Sequence, residues 1–166
     1  MKSLMILRHA EAAAAGNGPD IERSLTGAGR AQAHALGRLL REWNMPLGRI
    51  VCSSAKRTRE TAEFLVAGRE AEVPLIVAEE LYNASGEALL RYLQNLPDDG
   101  DRVLLVAHVP GVAELASMLV AEHVDLALIY KAATLVEIAM EEDHWSELDY
   151  GVGILRLVLP PVSAGR

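Results

Sequence analysis

Cysteine is nearly missing from this 166-residue chain: Cys52 stands alone, and the five histidines show no Cys/His spacing for a structural zinc site. An internal disulfide is therefore excluded, and the chain reads as a reduced, cytoplasmic protein. Aromatic residues are scarce as well, at 4%. The core must be built mainly from Ala, Leu, Val and Ile, which suits packed helices and buried strands. No apolar run approaches the ~20 residues of a membrane span. The first, residues 4–7, is cut short by Arg8 and His9, well below the length of a signal-peptide core. An excess of positive charge is absent too: 16 Lys and Arg face 23 Asp and Glu, for a formal net charge of −7. That sign excludes broad phosphate neutralisation on a nucleic acid, so any anion site must be local. There is no repeat, low-complexity tract or linker, and the length fits one domain over residues 1–166 with a frayed tail at 160–166.

What is present alternates. Residues 2–8 form a nearly continuous apolar run, the mark of a strand buried on both faces of a parallel sheet. A loop rich in Ala, Gly and Asn follows. Thr26 then reads as the N-cap of a helix reaching about residue 44, with Leu36, Leu39, Leu40 and Trp43 on its apolar side. Residues 49–52 read as a strand and 55–67 as a helix, with Ser53 and Ser54 at the junction. A short strand at 73–77, a helix at 86–96, a turn at 97–100 and a strongly apolar strand at 103–107 come next. Pro110 falls in the first turn of a helix to about residue 119. Two β segments, 133–140 and 151–159, close the chain. This order predicts a three-layer α/β/α domain with a mostly parallel central sheet.

Three of these strands end alike, with polar or basic residues at the carboxyl terminus: Leu7-Arg8-His9, Val51-Cys52-Ser53 leading to Arg57, and Val106-Ala107-His108. Ligands of open α/β sheets bind outside the carboxyl ends of strands, so the three termini are expected to share one crevice. Two arginines and two histidines would meet there. Guanidinium forks bind phosphate oxygens bidentately, and a neutral imidazole can attack phosphorus to form a phosphohistidine. Fixed cations can carry most of the stabilisation of a phosphoryl transition state, so neither a metal nor a cofactor is expected.

Leu7-Arg8-His9-Ala10 resembles the Arg-His-Gly signature of the histidine phosphatase superfamily, whose fold is phosphoglycerate mutase-like. Residues Arg23-Ser24-Leu25-Thr26-Gly27-Ala28-Gly29, followed by Gln32-Ala33, are similar to its Arg-Pro-Leu-Thr-x-x-Gly segment. Residues Ser53 to Ala62 resemble Ser-Pro-x-x-Arg-Ala-x-Gln-Thr-Ala, and Ala107-His108-Val109-Pro110 is similar to its second histidine motif. The resemblance covers essentially the whole chain. It implies that His9 is the phosphorylated nucleophile, that Arg8, Arg57 and His108 complete the phosphate pocket, and that Arg23 is a further phosphate or substrate contact. The chain departs from the family pattern at Ala10, Ser54, Thr58 and Glu60. Ala10 matters most, because Gly there implies close backbone approach and a methyl would reshape the pocket.

Larger mutases and sugar phosphatases of this superfamily insert a long segment after the third strand, which covers the site and supplies an acid. Here 25 residues separate Val77 from Val103, and a helix takes up nearly half of them. An alkoxide leaving group needs a proton donor, whereas an imidazole with a pKa of roughly 6.5 departs with little help. The chain therefore most resembles the compact phosphohistidine phosphatases of the SixA type, which act in signal transduction on histidine-containing phosphotransfer domains. Such a phosphorylated protein is the expected partner, with no role for nucleic acid or membrane. Glu79 and Glu80 are the candidate proton donors, Glu80 first. A small-molecule phosphomonoesterase or mutase, or a non-catalytic phospho-ligand binding module, is the alternative.

Other residues read as structural. Cys52 is separated from Arg57 by four residues and from Arg59 by six, neither being the spacing of a cysteine-dependent tyrosine phosphatase loop, so it is a packing residue. Gly27-Ala28-Gly29 lacks the third glycine and the preceding strand of a dinucleotide loop. His34, His123 and His144 are surface residues, and Asp98, Asp99 and Asp101 form a solvated turn.

Overall fold

The computed structural model describes residues 1–120 and 130–163. The chain runs β1 (Lys2–Arg8), α1 (Gly27–Glu42), β2 (Arg49–Ser53), α2 (Lys56–Arg69), β3 (Leu75–Ala78), α3 (Gly86–Gln94), β4 (Arg102–Ala107), α4 (Gly111–Val120), β5 (Leu135–Met140) and β6 (Gly153–Leu159). Single 3-10 turns lie at Asp20–Glu22, Glu79–Leu81 and Trp145–Glu147. His123 and residues 164–166 of the expected tail lie outside the described residues, while Val162 packs against the core. No helix among the described residues is long and apolar enough to cross a membrane.

The six strands form one sheet in the order β3-β2-β4-β1-β5-β6. β1, β2, β3 and β4 are mutually parallel; on the far side of β1, β5 pairs antiparallel with β1, and β6 pairs antiparallel with β5. Burial on both faces explains the unbroken apolar runs. Leu4 and Ile6 of β1, with Val103 and Leu105 of β4, join Leu89, Leu93, Val112 and Leu115 of α3 and α4. Met5 and Leu7, with Leu104 and Val106, join Leu36, Leu40, Ala62 and Leu65 of α1 and α2 on the opposite face. The result is the expected three-layer sandwich, with a mixed sheet.

α1 begins where its cap dictates: Thr26 Oγ1 accepts a hydrogen bond from the Gly29 amide at 3.0 Å. It then crosses α2 backbone to backbone. A Cβ on Gly37 would stand 2.0 Å from the Leu65 carbonyl oxygen, and one on Gly68 the same distance from that of His34. This tight crossing fixes α2, whose first turn carries Arg57.

Some boundaries differ from expectation. The third strand starts at Leu75, not 73, because it is a sheet edge on which Leu75, Ile76 and Val77 are all exposed. Trp43 is not on the apolar side of α1: it caps the helix and is half exposed. Pro110 precedes α4 by one residue. β5 starts two residues late because Ala133 has a φ of 62°, outside the strand region. The 98–101 turn is tied down: buried Lys2 pairs with Asp98 and Asp101, and Arg49 with Asp99.

Candidate functional site

The carboxyl ends of β1, β4 and β2 lie side by side, with Arg8 in register with Ala107 and Cys52 with Val106. His9 leaves β1 with its amide donating to the Ala107 carbonyl at 3.2 Å and its own carbonyl accepting from Ala133 at 3.0 Å. The side chain is buried, and its Nδ1 lies 2.7 Å from the Ala10 carbonyl. A carbonyl can only accept, so Nδ1 carries the proton and Nε2 keeps its lone pair.

His108 takes the opposite tautomer. Arg57 Nη2 stands 3.3 Å from its Nδ1 and can only donate, which makes Nδ1 the acceptor. Its Nε2–H then donates to Ser53 Oγ at 2.7 Å. The two imidazole centroids are 5.5 Å apart, and Tyr82 meets His108 edge-on at 5.6 Å.

Arg57 is buried beside His108. Its Nη1 donates to the Asp20 carbonyl at 2.9 Å and its Nη2 to Asp20 Oδ2 at 3.1 Å. Thr61, one turn along α2, ties this helix to the histidine loop: its hydroxyl donates to the Arg57 carbonyl at 2.6 Å and accepts from the Ala10 amide at 3.0 Å. Arg8 Nη1 donates to the Tyr130 carbonyl at 2.7 Å. Arg8 Nε and Arg57 Nε are buried with no hydrogen-bond partner, as are Arg59 Nε and Arg69 Nη1 elsewhere on α2. Arg23 is reached through Asp20, whose Oδ1 accepts from its Nε at 2.8 Å. Three guanidinium charges against the one Asp20 carboxylate leave a positive surplus, although the whole chain is acidic.

Burial is the main cause of the histidines' neutrality. It holds His9 down at about 4, helped by Arg57, Arg8 and Arg23 and opposed by the Ala10 carbonyl. It holds His108 at about 3, with Arg57 and His9 adding to it. Both rings are neutral at pH 7. An NMR titration of His9 is therefore expected to show a midpoint near 4; a midpoint near 6.5 would contradict the burial of its charge. The linkage has a definite sign. Unfolded histidines take up protons near 6.5 and the folded ones refuse them until about 4 or below, so stability falls as pH drops through that window.

The structure brings together His9, Arg8, Arg57 and His108, with Arg23 one carboxylate away. Glu80 is not with them. It is exposed in a depression shared with Arg49, Arg91 and Tyr92, and neither it nor Glu79 bonds to a residue of the histidine pair. The Ala10 methyl does not reshape the pocket: the residue is fully buried against Leu25, Ala33 and Ala133. Burial pushes the Cys52 thiol up to about 12, so it is a protonated packing residue. Asp20 and Tyr82 were invisible to motif reading. Tyr82 Oη donates to Asp20 Oδ2 at 2.6 Å across 62 residues of chain, and only the spacing of Asp20 three residues before Arg23 hinted at a pairing.

Comparison with known proteins decides the family. Residues 4–89 match the histidine phosphatase superfamily (branch 1). The chain belongs to that superfamily. A solved structure from Nakamurella multipartitia, assigned as a phosphohistidine phosphatase SixA, is 28% identical with a TM-score of 0.81, over 98% of this chain and 97% of that one. The protein histidine phosphatase SixA complexed with tungstate superposes with a TM-score of 0.80 at 22% identity, over 96% and 97% of the two chains. A mycobacterial glucosyl-3-phosphoglycerate phosphatase shares the fold at 16% identity and a TM-score of 0.62, over 93% and 96%. Superfamily membership makes the chain a phosphatase-type hydrolase, while the fold alone is common to members named for protein and for small-molecule substrates.

Proposed function

We propose that the chain is a metal-independent phosphatase that removes phosphate from phosphohistidine on a protein, through a transient phospho-His9. The observation that carries this reading is the state of the one carboxylate bonded to the site among the described residues. Asp20 is held at about 2 chiefly by the Tyr82 hydroxyl, with the Arg57 and Arg23 charges adding to it against the opposing cost of burial. It is ionised and has no proton to give an alkoxide. A phosphohistidine needs none from the site, because its ring takes a proton from solvent near neutral pH and then leaves as neutral imidazole.

In this reading the substrate ring is first protonated by solvent at its free nitrogen; His9 Nε2 then attacks phosphorus and the P–N bond breaks, its electron pair returning to a ring that leaves as neutral imidazole. Arg8 and Arg57 hold the non-bridging oxygens, and their fixed charges stabilise the transition state. Water then attacks phospho-His9, releasing orthophosphate and the neutral ring. A mere binder of phospho-ligands would need the arginines but not a neutral imidazole with a free lone pair beside them. The short stretch between β3 and β4, which holds only the 3-10 turn and α3, adds no covering insertion and leaves room for a macromolecular substrate in a signalling relay.

The test compares turnover of a phosphorylated histidine phosphotransfer domain with that of a panel of sugar phosphates. Higher kcat/KM on the phosphoprotein is expected. Higher kcat/KM on a sugar phosphate would make the chain a small-molecule phosphomonoesterase on the same site.

A further inference from the structure

Asp20 sits in a position with no part in phosphoryl transfer as written above. Its carboxylate collects three donors: Arg57 Nη2 at 3.1 Å and Tyr82 Oη at 2.6 Å on Oδ2, and Arg23 Nε at 2.8 Å on Oδ1. Its backbone carbonyl accepts from Arg57 Nη1 as well. A planar anion satisfied by two guanidinium groups and a phenol is the pattern a phosphoryl group would itself make with these residues. The carboxylate is not locked in, since its side chain is 48% exposed while that of Arg57 is 4% exposed. Its loop between β1 and α1 carries one 3-10 turn and one isolated bridge, Ala12 with Leu25. The buried partner is fixed and the exposed one can leave.

We infer that Asp20 is a specificity-determining residue, an internal anion that competes with the phosphoryl group for Arg57 and Arg23 and so weakens the pocket's hold on small phosphates. An oxyanion must displace the carboxylate or bind beside its negative charge. A free phosphate or small ester has only its own charge to offset that cost. A phosphorylated protein adds contacts remote from phosphorus, and such remote binding energy can be spent on displacement. The same competition speeds release of orthophosphate. The inference rests on the phosphoryl site proposed above.

Asp20→Asn keeps the size and one acceptor oxygen and removes the charge. Calorimetric titration of the free protein with tungstate and with orthophosphate should show binding tightened about tenfold, the scale expected from deleting one competing charge-assisted partner. With p-nitrophenyl phosphate, KM should fall by a similar factor without a rise in kcat. Tyr82→Phe, which loosens Asp20 without removing it, should shift affinity in the same direction by less. A residue that merely braces Arg57 would give the reverse, weaker oxyanion binding and a higher KM. Equal or weaker tungstate binding by Asp20→Asn, with wild-type binding measurable, overturns the inference and leaves the site standing. No tungstate binding by either protein overturns the site, and the inference with it.

Discussion

His9→Ala is expected to reduce phosphatase turnover to background, a loss on the order of 10⁴-fold to 10⁶-fold, the range seen when a covalent nucleophile is removed. The magnitude follows from the geometry. Nδ1 is committed to the Ala10 carbonyl, so Nε2 is the lone pair that faces reaction, and burial keeps it unprotonated. Among the described residues none is placed to take over: His108 gives its Nε2 proton to Ser53 and its Nδ1 lone pair to Arg57, and the Cys52 thiol is protonated and buried. The fold should survive, because strand pairing at this point uses the His9 backbone and the side chain contributes one local hydrogen bond. A thermal melt beside the assay separates the two effects. Activity near the wild-type level in a folded His9→Ala protein would refute its role as nucleophile.

Arg57→Ala should cost about 10³-fold or more in kcat, comparable to loss of an arginine or oxyanion donor elsewhere in phosphoryl and acyl transfer. Arg23→Ala should cost clearly less. Arg57 is buried, touches His108, and carries an unpartnered Nε. Arg23 is partly exposed and spends its donors on Asp20 and on the Ala13 carbonyl at 3.1 Å. Arg57→Lys restores the charge without the planar fork, so a partial recovery above the Ala variant is expected. Steady-state kinetics on the three proteins decide the matter, and equal losses for Arg57→Ala and Arg23→Ala would place Arg23 in direct contact with the transferring group.

How far the sequence could be read depended on whether burial left a pattern. β1 came out at the expected residues because both its faces are covered and its apolar run is unbroken. β3 did not, since an edge strand with three exposed apolar residues has no inward and outward alternation to follow. Trp43 matched the helical spacing of Leu36 and Leu40, yet it falls at the cap, where the chain turns away and the ring is left half in solvent. The residues grouped at strand ends were legible for a topological reason: parallel strands carry their carboxyl ends to one edge whatever the loops do. Glu80 was placed by its position after the third strand, but the single 3-10 turn there leaves it exposed beside Arg49 and Tyr92. Asp20 and Tyr82 belong to no motif. Their contact exists only once the loop after β1 folds over the end of β2, a tertiary event without a local signature.

Rapid-quench analysis of the wild-type chain with a radiolabelled, histidine-phosphorylated phosphotransfer domain tests the covalent route most directly. The expected result is label on the phosphatase within the first turnover, stable to alkali and labile to acid, mapping to His9 and absent from His9→Ala. Release of labelled orthophosphate at the full rate with no label on the chain would contradict it.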